Sequence, residues 1–531
     1  YGQTSVPENW FNLDQNKDNV SGVSTERMYQ ELLKDRSSQT VIVAVIDSGV
    51  DPEHEDLQAV MWVNEDEIAG NGIDDDKNGY IDDIHGWNFI GGKNGKNINH
   101  DALEVARLAA HYEKMFKDKD ASKLSKKEKK KYEEYQKIKK KIETKRGELQ
   151  EQGGSFIAFT EGLEKITKMI KGEVNAESIG QLDLKDNEDL KRVADRTVAI
   201  MSRENMSFED FSKEMKGAAD FFNGQLNYHY NPEFDPRAEI VGDNYADSYE
   251  KGYGNNDVKG PDASHGTHVA GIIAAVRNND VGIKGVADNV RIMSVRAVPD
   301  GDERDKDVAN AIIYAVDNGA SIINMSFGKG YAWDKEAVDK AVKYAQKKDV
   351  LLVHAAGNDA SLTDDSAHFP NDQYAKRGWF KKKSAKNWIE VGALSWKGGE
   401  DAVASFSNYG KENVDLFAPG HQILSTTPDQ GYAAFSGTSM ASPVTAGVAA
   451  VLRSYFPTLS ADQVKDILMN TTVKQTQMVK KPGSDEKVAF TELCQTGGVV
   501  NAFAAVKMAM TTKGKKKVKS KKAKAQKVVT P

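Results

Sequence analysis

Four residues of types that can do chemistry together stand in four separate stretches: Asp47 closing "VIVAVID", His265 in "SHGTHVAGIIAA", Asn358 closing "VLLVHAAGN" and Ser439 in "FSGTSMASP". A serine hydroxyl becomes a nucleophile when a base takes its proton, and an imidazole with an unperturbed pKa of about 6.5 suits that task near neutral pH. An ionised carboxylate fixes the imidazole tautomer and stabilises the cation that forms. The oxyanion of a tetrahedral intermediate needs donors of its own, and a side-chain amide such as Asn358 together with the Ser439 N–H at a helix N-terminus would supply them. Gly437 and Thr438 permit a sharp approach to the serine, and Pro443 is placed in the first helical turn, where a missing N–H costs nothing. Singly, each residue has a plainer reading: a turn former, a cap, an ordinary turn, a small packing residue. Jointly, in the order Asp, His, Ser, they predict acyl transfer through Ser439.

These residues need a scaffold that holds them at one edge. Apolar, β-branched runs at 41–49, 291–298, 321–328, 350–358 and 388–395 read as strands buried on both faces. Helical patterns such as "DKDVANAIIYAVDNG" and "DKEAVDKAVKYAQKKD" lie between them. Strand alternating with helix predicts an α/β fold with a mostly parallel sheet, whose chemistry sits at the carboxyl ends of the strands. Residues 99–240 differ, with helical spacing and mixed charge in "KLSKKEKKKYEEYQKIKKKIETKRGELQEQ" and after it, and read as an all-helical insertion between parts 1–98 and 241–512. Its lysine-rich run reads as a solvated helix face. Both flanks of the insertion lead to catalytic segments, so it is expected to emerge near the cleft, to limit substrate access or to recruit a protein partner or propeptide. The basic stretch 513–531 has almost no apolar content and is expected to be disordered.

Composition narrows the function. The 531 residues are 39% hydrophobic and 28% charged with a net charge of -7, enough for a large core and against nucleic acid as a partner. Cys494 is the only cysteine, which excludes an intramolecular disulfide and a cysteine-built zinc site. No apolar run approaches the ~18 residues that span a bilayer, so no transmembrane segment is expected. The sequence opens at Tyr1 rather than methionine, and a signal peptide outside this chain is an expectation.

"VIDSGVDPEHEDL", "HGTHVAG", "NMSFG", "AAGN" and "GTSMASP" resemble, in order, the signature segments of the subtilisin family of serine proteases. The likeness covers about 41–98 and 241–470. It implies a subtilisin-like three-layer fold, endopeptidase activity on polypeptides, Asp47, His265 and Ser439 as the triad and Asn358 as the oxyanion amide. His268 matches a packing position. "GTSMA" lacks the second glycine of G-x-S-x-G, against an α/β-hydrolase. The resemblance further implies that Ser326, Phe327 and Gly328 form an edge that pairs with an extended peptide. It makes "AHFPNDQY" a pocket-forming stretch with a cis bond at Phe369-Pro370, and His368 and Asp359 pocket residues. Asp359 admits a basic preference, and a broad apolar one is the default. Two rivals stay open: a non-catalytic peptide-gripping protein, and an exopeptidase whose insertion blocks one end of the cleft.

"GNGIDDDKNGYIDDIHGWNF" places Asp74, Asp76 and Asn78 at alternate positions before Gly79, then Asp82 and Asp83, repeating the opening of an EF-hand loop. His85 stands where that loop has its closing glutamate, so closure falls to Asp82 or Asp83. Clustered carboxylates repel unless neutralised, which predicts Ca2+ here. The family likeness implies a second calcium site at Asp56 and Asn279. A calcium staple in a chain without disulfides fits a secreted or periplasmic enzyme.

Overall fold

The computed structural model describes residues 5–366, 368–375 and 384–515. Most of the expected basic tail, and Ala367 of the pocket-forming stretch, lie outside them. The chain divides into two compact units, Tyr1–Asn99 with Arg237–Pro531, and His100–Pro236.

In the first unit the strands are β1 Val41–Asp47, β2 Gly86–Asn88, β3 Val290–Arg296, β4 Ile322–Met325, β5 Leu351–Ala355, β6 Trp388–Leu394 and β7 Leu416–Pro419, of which β1, β3, β4, β5 and β6 are the apolar runs expected from the sequence. A hairpin follows, β8 Ile423–Thr427 with β9 Gly431–Phe435, then β10 Val473–Lys474, the small pair β11 Met478–Lys480 and β12 Lys487–Ala489, and β13 Gly498–Val499. Among the described residues nine strands make one sheet in the order β10-β13-β7-β6-β5-β4-β1-β3-β2. β10 is antiparallel to β13, and the other pairings in the sheet are parallel.

Three layers follow from how β1 alternates. Val43 and Val45 face one apolar cluster, with Val269 and Ile273 of the helix Ser264–Ala274 and Val444 and Val448 of the helix Thr438–Tyr455. Ala44 and Ile46 face the other, with Val308 and Ile312 of Asp305–Asp317 and Val338 and Val342 of Lys335–Lys347. A strand covered on both faces can be apolar throughout, which is why β1 reads as one continuous run. The carboxyl ends of β1, β3, β4 and β5 therefore lie together at one edge, with Asp47 opposite Arg296.

Charge is buried where the chain re-enters this unit. Arg237 forks onto Asp307 (2.7 Å) and Asp243 (2.8 Å), and Lys306 meets Asp243 at 2.6 Å. Mutual pairing of this kind is what permits ions inside.

The second unit is helical, with Glu104–Phe116, Lys126–Met169, Glu188–Glu204 and Phe208–Gly224 as its main helices. The long helix starts on a capping box between Ser125 and Glu128. It buries Tyr135, Ile138, Ile142 and Leu149, while Lys126, Lys127, Lys129 and Lys130 stay exposed. Leu163, Ile166, Met201 and Phe211 form its core. Among the described residues no helix is long and apolar enough to cross a membrane.

Candidate active site

Asp47 ends β1 with its side chain buried. Its Oδ1 accepts from Ser48 N at 2.8 Å and faces His265 Nδ1 at 2.7 Å. His265 is the second residue of its helix, and Gly266 allows the approach: a Cβ there would lie 2.1 Å from the Gly49 oxygen and 3.1 Å from Asp47 Cβ. Burial alone would depress the imidazole, but the charge and hydrogen bond of Asp47, with Asp262 adding, hold it above its ordinary value. With Nδ1 committed to Asp47, Nε2 is the nitrogen left to take a proton. His268 is different: its Nε2 meets the Ala433 carbonyl at 3.0 Å, the ring stacks on Phe435 at 4.3 Å, and burial pulls it down to about 4.

Ser439 is the second residue of the Thr438–Tyr455 helix, and Pro443 is the sixth. The expectation that Pro443 falls in the first turn therefore fails. Its missing N–H deprives the Ser439 carbonyl of its helical donor, and Ser326 Oγ donates to that carbonyl at 2.9 Å instead. In return Ser439 Oγ donates to the Ser326 carbonyl at 3.1 Å. The Ser326 hydroxyl also accepts from Asn324 Nδ2 at 2.9 Å, and Asn324 Oδ1 accepts from Ser442 Oγ at 2.8 Å. A buried chain of polar groups thus ties the serine to the end of β4.

Thr438 does the same for the end of β5. Its Oγ1 accepts from Gly357 N at 3.0 Å, and Asn358 Oδ1 accepts from Thr438 N at 2.8 Å and from Thr438 Oγ1 at 3.0 Å. That leaves Asn358 Nδ2 free to turn toward Ser439 N: both lie within 3.5 Å of where a Cβ on Gly437 would stand. Asp47, His265 and Ser326 line one cavity of about 280 Å³ with Arg296, Asp262 and Asp300. Arg296, unremarked in the sequence, donates to the Ser48 carbonyl at 2.8 Å and so braces the turn after Asp47; burial pulls its guanidinium down to about 10. A larger cavity of about 1110 Å³ lies at the amino ends of the strands, beside Thr40, Arg291 and Asp76, away from these groups.

Of the expected substrate residues, Phe327 turns inward to His354, 6.2 Å between ring centres. Gly328 lies against His368, which burial and the neighbouring His354 hold below its ordinary pKa. Asp359 is exposed and accepts from Asn408 Nδ2 at 3.4 Å. The Phe369-Pro370 bond is cis.

In the acidic loop, Asp74 accepts from Asn78 N and Gly79 N, and Asp82 from Asn71 N and Gly72 N. Those two carboxylates therefore hold turns. Glu67, Asp76 and Asp83 present oxygens within 4.8 Å of one another. Glu67 was not foreseen, since it precedes the loop, though the fold brings it over the loop's backbone. Asn64 and Asn78 each donate an amide to Asp76 and Asp83, and turning either amide would present its oxygen. Burial and the charge of Asp76 push Asp83 up to about 6. Such a donor set suits a hard cation. Asp56 and Asn279 touch at 2.7 Å, but both Asp56 oxygens already accept N–H donors, the second from Ile283.

The Subtilase family profile matches residues 38–491. The chain belongs to the subtilase family. This subtilase is 45% identical over 208 residues to "Thermophilic serine proteinase" of Bacillus sp. (strain AK1), matching 38% of this chain and 47% of that one. It is 33% identical over 336 residues to "Extracellular protease" of Xanthomonas campestris pv. campestris, matching 59% of this chain and 51% of that one. Thermitase of Thermoactinomyces vulgaris is 36% identical over 243 residues, 46% of this chain and 74% of that relative. The chain thus spans about half the length of the first two relatives.

Proposed function

We propose that this subtilase is a secreted, calcium-stabilised serine endopeptidase. The observation that carries the reading is the 2.7 Å pairing of Asp47 with His265 beside a serine tied to Ser326, which lines the same cavity. Turning Ser439 Oγ from the Ser326 carbonyl toward His265 Nε2 passes its proton to the imidazole as the oxygen bonds to the scissile carbon. Asn358 Nδ2 and Ser439 N hold the oxyanion. The C–N bond breaks as the imidazolium returns the proton to the leaving amine, and water, deprotonated by the same imidazole, then hydrolyses the ester. The edge at Ser326 and Gly328 offers main-chain groups to an extended substrate.

Calcium is assigned first to Glu67, Asp76 and Asp83 with the Asn64 and Asn78 amides, where it would neutralise crowded carboxylates and brace the loop. Asp56 and Asn279 are a second candidate, because the Asp56 oxygens must first release their N–H partners. Secretion rests on the "Extracellular protease" relative and on the proposed calcium, which would serve as the staple in a chain whose single cysteine allows no intramolecular disulfide. The helical insertion, whose flanks lead along the sequence to the segments of Asp47 and His265, is assigned to controlling substrate access or holding a protein partner.

Covalent labelling by a fluorophosphonate, lost in Ser439→Ala, together with casein cleavage, tests the reading. An unlabelled wild-type protein would favour a peptide-gripping role instead. Fragments cut internally separate endopeptidase from exopeptidase.

A further inference from the structure

The segments that continue β4 and β5, 326–328 and 356–358, part beside the nucleophile, the first bonded to Ser439 and the second to Thr438. On the proteolytic reading above, the acyl carbon sits on Ser439 Oγ with its oxygen toward Asn358 Nδ2 and Ser439 N. The side chain on the acyl side of the cut is then directed into the gap between the two segments. That gap is occupied by an imidazole. A Cβ on Gly328 would lie 2.4 Å from His368 Nε2 and 2.9 Å from its Cε1, and one on Gly357 would lie 3.1 Å from the same Cε1. The ring is wedged between two glycines that have no side chain to spare.

It is also held from behind. Lys329 and Phe369 exchange backbone hydrogen bonds at 2.8 and 2.9 Å, and Asn371 Nδ2 donates to the His368 carbonyl at 2.5 Å. His354 stands 6.1 Å away, fixed by Glu390 at 2.9 Å, which also takes the Trp388 indole N–H at 2.8 Å. Among the described residues, buried His368 Nε2 has no hydrogen-bond partner. No hydrogen bond from that ring nitrogen to a described residue explains why a polar ring fills this space.

We infer that His368 sets specificity by closing the acyl-side pocket to large side chains, so that cleavage follows Gly, Ala or Ser and not bulky apolar residues. The broad apolar preference expected from the sequence is replaced by a narrow one. A pocket that fits a small group discriminates against larger ones by steric exclusion, and the cost reaches at least the tenfold order of one misfitted methylene.

The test uses the full chain and peptide p-nitroanilides that differ only in their last residue, Ala, Ser, Leu or Phe. The wild type should cleave after Ala with kcat/KM on the order of tenfold or more above Phe. His368→Ala should reverse that order, with the gain for Phe and Leu seen mainly in KM. A wild type that prefers Phe or Leu, or a His368→Ala profile matching the wild type, overturns the inference while fluorophosphonate labelling of Ser439 leaves the proteolytic reading standing. Absence of both labelling and cleavage overturns that reading itself. Should His368→Ala not fold, the wild-type profile decides, and His368→Ser serves as the second variant.

Discussion

At His265 two influences oppose each other: burial disfavours the imidazolium, and the carboxylates of Asp47 and Asp262 favour it strongly enough to raise the pKa. The free base is lost as pH falls through that pKa. The acid limb of kcat/KM should therefore have its midpoint above about 6.5. Asp47→Asn removes the main raising influence, so the midpoint should move to lower pH while kcat falls by about 10⁴, as measured on one peptide from pH 5 to 9. Asn358→Ala should lower kcat by about 10²–10³ with little change in KM, the range known for removing one oxyanion donor. Asp47, His265, Asn358 and Ser439 could be singled out in the sequence because each ends, follows or opens an element whose pattern is strong. Glu67 and Arg296 were not, because a carboxylate outside the acidic loop and an arginine at the end of an apolar strand acquire meaning from tertiary neighbours alone.

Two close approaches between elements can be broken by small changes. Gly266→Ala would place a methyl 2.1 Å from the Gly49 oxygen, so the His265 helix must retreat from β1. Stability should fall by about 1–3 kcal/mol in a denaturant titration, and kcat/KM with it as the Asp47–His265 contact lengthens. Ser326→Ala leaves the Ser439 carbonyl and the Asn324 amide unpaired in a buried place, with an expected cost of about 1–3 kcal/mol and a slower kcat. β1, β3, β4, β5 and β6 could be read from continuous apolar runs, whereas β7, β8 and β9, of similar length, were not read. β2, β10 and β13 could not, since two or three residues give no period to read. Pro443 was misjudged for a related reason: the sequence shows a proline near a helix start but not which turn it enters, nor that the Ser326 hydroxyl just beyond β4 stands ready for the carbonyl it frees.

For the molecule as a whole, calcium binding at the proposed Glu67, Asp76 and Asp83 cluster would make the fold a calcium-linked equilibrium. Adding a chelator should lower the melting temperature, and calcium at about 100 times its Kd should restore about 2.7 kcal/mol. Glu67→Gln should weaken that response more than Asp82→Asn, whose carboxylate serves a turn. Replacing 100–236 by a short linker should leave cleavage of a tetrapeptide within about twofold and alter cleavage of folded casein-sized substrates; unchanged ratios would remove the insertion from substrate selection. Its helical character was visible in the sequence through helical spacing and mixed charge, whereas that spacing does not encode the role proposed for it. In the helix from Thr438 to Tyr455 every side chain but that of Ser439 is packed inside. On the proposed activity, the cutting group is therefore mounted on the structural axis of its own unit, and it loses its edge only when that axis melts. Self-digestion then requires one molecule intact to cut and another open to be cut, so losses in storage should peak near the melting midpoint, where both kinds coexist, and fade on either side.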